Sequence, residues 1–195
     1  GPARAIELPS WQSTQSRDDP HVGLALGAAG EVELETIARH VAGARFVLLG
    51  ETHDNPDHHA LQAGILRAMT SAGRRPAIVF EMIPRSLQPA IDAFLADEAP
   101  DPGRFGEIVQ WEERGWPSWA AYRPILEVGL EFGLAVVAGD LDRGTIRSIS
   151  QGGASALKPE LQGRYGLDTD LAPEQRQELE KAIETGHCGL MPPAA

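Results

Sequence analysis

Three carboxylates stand where three apolar runs end, and a histidine follows the first of them two residues on. Leu49-Gly50-Glu51 closes the run from Arg45, Phe80-Glu81 closes Ala77–Phe80, and Gly139-Asp140 closes Leu134–Ala138. His53, Asp54, Asp57, His58 and His59 crowd the residues after Glu51. Carboxylates gathered in a low-dielectric setting repel one another unless a cation, a proton or a hydrogen-bond donor compensates. Acids delivered to one rim therefore imply a cation or a hydrogen-bonded ligand. The competing reading is that single acids cap the helices that follow or pair with Arg85 and Arg143. Imidazole is the commonest metal ligand and a proton carrier near neutral pH. His58 and His59 are adjacent on one helical turn and face different directions, so at most one of them joins such a site. Asp54 and Asp57 also suit the positive end of a helix.

Two further groups could do chemistry. Trp111, Trp116, Trp119 and Tyr122 form an aromatic cluster. Such residues usually anchor a core or an interface, and they would also suit the face of a flat macrocycle. His187-Cys188-Gly189 places a histidine beside the single cysteine, a pair that either binds metal or is a loop histidine and a buried thiol.

The elements that must position these residues alternate. Glu33–Val41 has helical periodicity through Leu34, Ile37, Ala38 and Val41. Arg45–Leu49 is predicted to be a buried strand. Asn55-Pro56 is a good N-cap followed by a good first helical residue, and that helix should carry Leu61, Ile65, Leu66 and Met69 and stop near Gly73. Ala77–Phe80 is a second strand, Pro84 to about Ala96 a helix, and 97–117 an irregular stretch. Ser118 caps a helix that Gly133 closes, Leu134–Ala138 is a third strand, and helices follow near Arg143–Ser150 and from Pro173 to Gly186. Strands alternating with helices predict an α/β fold, three layers with a mainly parallel sheet flanked by helices. In an open parallel sheet, ligands bind outside the carboxyl ends of the strands, where all three acids fall. The expected organisation is an N-terminal arm, 1–30, with a short strand at Val22–Leu26, and a single α/β domain, 31–195.

The totals exclude some partners. A chain of 195 residues with 42% hydrophobic content suits one globular domain. A net charge of −11 argues against nucleic acid, which needs basic residues to neutralise phosphates, and against a polybasic membrane-surface role. One cysteine allows no intrachain disulfide. No apolar run approaches the ~20 residues that span a bilayer.

Leu48-Leu49-Gly50-Glu51-Thr52-His53-Asp54-Asn55-Pro56-Asp57-His58-His59 resembles the first signature of the ChaN-like haem-binding family. Phe80-Glu81-Met82, Trp119 with Tyr122-Arg123-Pro124, and Gly186-His187-Cys188-Gly189-Leu190-Met191-Pro192 resemble its later motifs, in the expected order over roughly 45–193. The resemblance implies a fold shared with Tiki-like peptidases and erythromycin-esterase-like proteins. It implies a role in bacterial haem or iron uptake, as a periplasmic or outer-membrane-attached lipoprotein whose anchor lies outside this chain. It further implies tyrosine ligation of haem iron, histidine contact to propionates, and haem-linked pairing of two chains. By motif position Tyr122 is the expected iron ligand, with Tyr165 as alternative, and His53, His58, His59 and His187 are candidates for propionate or metal contact. Relatives continue beyond the His-Cys loop, so the domain is expected to lack its C-terminal part, and many have a neutral residue where Asp140 stands. Two functions stay open: a haem-binding protein without catalysis, and a metal-dependent hydrolase using a divalent ion with Glu51, His53, Glu81 and His187, in which Glu51 or Glu81 is the general base.

Overall fold

The structure, a computed structural model, describes residues 6–13, 18–167 and 169–186. The chain divides into two compact units, Gly1–Asp140 and Leu141–Ala195. The first contains a short hairpin, β1 (Leu26–Gly27) and β2 (Gly30–Glu31), then α1 (Leu34–Gly43), α2 (Pro56–Ser71), β3 (Ile78–Pro84), α3 (Gln88–Leu95), α4 (Phe105–Ile108), α5 (Trp119–Glu131) and β4 (Val136–Asp140). The second contains α6 (Arg143–Gly152), α7 (Pro159–Tyr165) and α8 (Pro173–Gly186).

β3 and β4 pair in parallel, with Ile78 opposite Val136, Val79 opposite Val137 and Phe80 opposite Ala138. The register then shifts, so that Pro84 meets Asp140. The far edge of β4 is satisfied by a side chain. The Gln88 amide donates to the Val136 carbonyl at 3.0 Å and accepts from the Ala138 N–H at 2.8 Å, as a neighbouring strand would. Because strand side chains alternate, Ile78, Phe80, Val136 and Ala138 face inward onto α2, α3 and α5, where Leu66, Ile91, Ile125 and Leu126 complete the core. Val79 and Val137 face outward and are exposed. The α/β class is as read from the sequence, with a parallel sheet flanked by helices.

The expected strand at Arg45–Leu49 differs. Among the described residues it pairs with no strand, and Phe46 and Leu48 are 76% and 94% exposed. Its apolar, β-branched composition is that of a strand, but a strand is a property of a pair. No described segment offers Arg45–Leu49 the partner it needs.

The aromatic segment is core. Trp111 is buried and its indole N–H donates to the Pro117 carbonyl at 2.7 Å; Trp119 donates likewise to Pro102 at 2.8 Å. Trp119 lies so close to Gly106 that a methyl there would sit 2.6 Å from its ring. The stretch expected to be irregular therefore includes α4 and a short 3-10 turn at Glu112–Arg114, whose Arg114 donates to the Met82 carbonyl of β3.

Residues 6–13 are tied down. Ile6 is buried against Ala38 and Ala68, with Leu34, Ile37 and Ile65 around it. Asp57, itself buried, accepts the backbone N–H groups of Gln12 and Ser13 at 2.7 and 2.8 Å. A charged acceptor serving two amides makes stronger than average hydrogen bonds. Asp57→Ala is expected to cost about 1–2 kcal/mol and to speed proteolysis of residues 6–13, read by urea unfolding and by limited digestion. An unchanged cleavage rate would show that the arm is held elsewhere.

Candidate functional site

The loop from Leu49 to Asn55 is shaped by local bonds. Asn55 caps α2 by accepting the Asp57 N–H at 3.0 Å, and Pro56 occupies the first turn, as the residue types predict. The Asn55 N–H returns to the Thr52 carbonyl at 2.9 Å, and the Thr52 N–H donates to His58 Nδ1 at 2.8 Å. His58 is thus spent on fixing the loop. His59, one residue on, points the other way and is fully buried, its ring stacked on Tyr122 with centroids 3.8 Å apart.

Glu51 is the hub. Its Oε1 accepts from the Tyr122 hydroxyl at 2.6 Å and from His53 Nδ1 at 2.9 Å. Its Oε2 accepts from Gln62 Nε2 at 2.9 Å, and that amide also reaches the Leu49 carbonyl at 3.1 Å. His59 Nε2 lies 3.4 Å from Oε2, close enough for electrostatic attraction but not aligned for a hydrogen bond. Both of its ring nitrogens lack a hydrogen-bond partner among the described residues. Gln62 is the member that residue-type reasoning misses. It sits three residues after His59 on the same helical face, the one signal that could have found it.

The electrostatics follow from this packing. Burial pushes Glu51 up, but the hydrogen bonds from Tyr122, His53 and Gln62 outweigh it and hold the carboxyl below its ordinary range. Burial holds the His59 imidazole below its ordinary value, and nearby Glu51 only partly offsets this. Burial first, then the hydrogen bond to Glu51, drive the Tyr122 phenol far above its usual value.

The expected site residues fall in different places. Tyr122, expected to ligate iron, has no exposed surface, donates its proton to Glu51, and is strongly disfavoured as a phenolate. It stands inside the site as the donor that fixes the hub. The three strand-end acids have different surroundings. Glu51 enters the hub, whereas Glu81 lies exposed on the outward row of β3 without a hydrogen bond to it, its charge reaching Tyr122 only through space. Asp140 ends β4 opposite Pro84. His53 is brought in: its ring is 44% exposed, bonded inward to Glu51 and set edge-on to Trp116 at 4.9 Å. Tyr165 is exposed at the end of α7. His187 and Cys188 lie outside the described residues.

The hydrolase arrangement finds little support here. A general base works best with its pKa raised toward the operating pH, whereas Glu51 is held low and its oxygens are already occupied. Among the described residues no three His, Cys, Asp or Glu side chains are grouped to hold a metal ion.

The hub makes a pH dependence that can be signed. His59 is held neutral in the fold, while the unfolded chain takes up a proton near 6.5. A group depressed in the folded state contributes stability above its unfolded pKa, and that stability is lost as pH falls through the folded value. The urea midpoint should therefore drop as pH falls from 7.5 to 5.5, with a further loss below 4.5 as Glu51 titrates. His59→Phe should flatten the first step and leave the second. A midpoint that rises on acidification would contradict this assignment.

Fold and site together define an α/β protein whose loop before α2 builds a buried carboxylate hub and presents a histidine outward beside an indole. The chain belongs to the haem-binding uptake family of the Tiki superfamily, ChaN, whose model matches residues 37–195. Among solved structures it is similar to ChaN of Campylobacter jejuni, a structure described as showing cofacial heme binding, with 22% identity and a TM-score of 0.61 over 80% of this chain. The match covers 59% of that chain, and at this identity it shows the fold. No curated protein matches the chain. No described helix is long and apolar enough to cross a membrane.

Proposed function

We propose that this protein binds haem as cargo in bacterial haem or iron uptake, at the rim formed by His53 and Trp116. The observation that carries the reading is the outward His53–Trp116 pair standing on the saturated Glu51 hub. A half-buried indole offers a flat apolar surface to a macrocycle, and an imidazole beside it offers nitrogen to iron or a proton to a propionate. Glu51, Gln62, Tyr122 and His59 lie behind the pair as its support. The net charge of −11 does not oppose an anionic ligand, since recognition is set by the few groups at the rim. A periplasmic or outer-membrane-attached location, a lipid anchor and haem-linked pairing of two chains belong to the same reading through the family. Titration with haemin at micromolar concentration tests it. A Soret band that shifts from that of free haemin and saturates at one haem per chain is expected. No spectral change would reject the reading.

A further inference from the structure

Residues 6–13 run along α2 from its far end back to its start. Ile6 is buried at the far end, against Ala38 of α1 and Ala68 of α2. The Glu7 carbonyl then passes over Gly64, where an added methyl would stand 3.4 Å from it. At the start of the helix the Gln12 and Ser13 N–H groups donate to the two carboxylate oxygens of Asp57 at 2.7 and 2.8 Å. The segment is anchored twice, at points roughly 16 Å apart at the ordinary rise of a helix.

The second anchor is also part of the loop that carries Glu51 and His53. The Asp57 N–H donates to Asn55 Oδ1 at 3.0 Å, and the Asn55 N–H returns to the Thr52 carbonyl at 2.9 Å. The Thr52 N–H donates to Nδ1 of His58, the next residue after Asp57, at 2.8 Å. Bonds on both sides of Asp57 thus close the loop. The Asp57 carboxylate is only 5% exposed, and a buried carboxylate needs donors. Without the Gln12 and Ser13 amides it must turn toward water or toward the N–H groups that the first turn of any helix leaves unbonded. Either movement pulls on Asn55 and His58, and through them on Thr52.

We propose that residues 6–13 are a strap that holds the loop before α2 in its ligand-binding shape, with Asp57 as the positioning residue through which the strap acts. The proposal rests on the haem reading above for the identity of the ligand and is indifferent to which side chain meets the iron. The coupling is reciprocal: a seated strap favours binding, and binding favours a seated strap.

Two variants of the full chain loosen the strap without altering the loop. Ile6→Asp acts at the end remote from the site, and Gln12→Pro combined with Ser13→Pro removes both donated hydrogens. Each is followed by hydrogen exchange of the Thr52 amide in the ligand-free protein and by titration with haemin. The Ile78 amide, bonded to the Ala135 carbonyl at 2.8 Å, reports on the fold. Thr52 exchange is expected to speed up and haemin affinity to fall about fivefold in both variants, with Ile78 unchanged. Haemin should in return slow proteolytic cleavage within residues 6–13 of the wild type. Faster cleavage of the strap in the variants with Thr52 exchange and affinity unchanged overturns the proposal and leaves the haem reading standing. Unchanged cleavage in both variants overturns it too, because the strap is then not held at these anchors. Loss of Ile78 protection in Ile6→Asp marks a global defect, and the proline pair then decides. A wild type that takes up no haemin overturns the haem reading and the ligand-binding half of the proposal, and Thr52 exchange then decides whether the strap holds the loop.

Discussion

Replacing Glu51 by alanine is expected to destabilise the fold by about 3–5 kcal/mol, the largest effect of any single change at the site. The carboxylate is only 9% exposed. Its loss leaves the hydroxyl of a fully buried Tyr122 with only the His53 carbonyl, at 3.1 Å, removes half the bonding of Gln62, and opens a void beside buried His59. Each buried donor left without a partner costs about 1–3 kcal/mol. Against a total stability of about 5–15 kcal/mol, such a loss lowers the urea midpoint steeply and can unfold the chain at modest temperature. Glu51→Gln keeps the shape and one good acceptor, so it should cost distinctly less. The comparison matters because a merely exposed loop acid would give nearly the same small effect in both variants. Equal, small losses would show that Glu51 is not the centre of a buried network.

The second large effect is on binding and leaves stability nearly untouched. His53→Ala is expected to weaken haemin affinity on the order of 10-fold, since it removes the rim imidazole that the proposed reading sets against the ligand. The ring is 44% exposed and its bond to Glu51 is at the surface, so unfolding should shift by less than about 1 kcal/mol. Tyr122→Phe should behave oppositely. It deletes a buried donor to Glu51, so it should cost stability while the variant still takes up haemin. Titrations of both variants followed in the Soret region, beside urea curves of the same preparations, separate the two roles. A Tyr122→Phe protein that folds normally and binds nothing would make the tyrosine the iron ligand.

What could be read from the chain was what is decided locally. The start of α2 follows from Asn55-Pro56, that of α5 from Ser118, and the opposed directions of His58 and His59 from the helical turn. β3 and β4 are legible because each apolar run finds the other at its side. Arg45–Leu49 has the same composition and pairs with nothing described, because pairing is non-local. Tyr122 illustrates the same limit at the site. Its place in α5 follows from spacing, but its burial is set by Trp111 and by His59, the latter distant in sequence, which pack against its ring at 4.6 and 3.8 Å. Gln62 was invisible for another reason: an amide has no chemistry of its own, and its importance is conferred by the acid it holds.

The most direct test is where the ligand lands. Titration of nitrogen-labelled protein with gallium protoporphyrin, a diamagnetic stand-in for haem, should move the amides of Thr52 and His53 and the indole N–H of Trp116. The indoles of Trp111 and Trp119, bonded to Pro117 and Pro102 in the core, should stay in place. Shifts confined to residues remote from Glu51, with His53 and Trp116 unmoved, would contradict the assignment of this rim as the haem site.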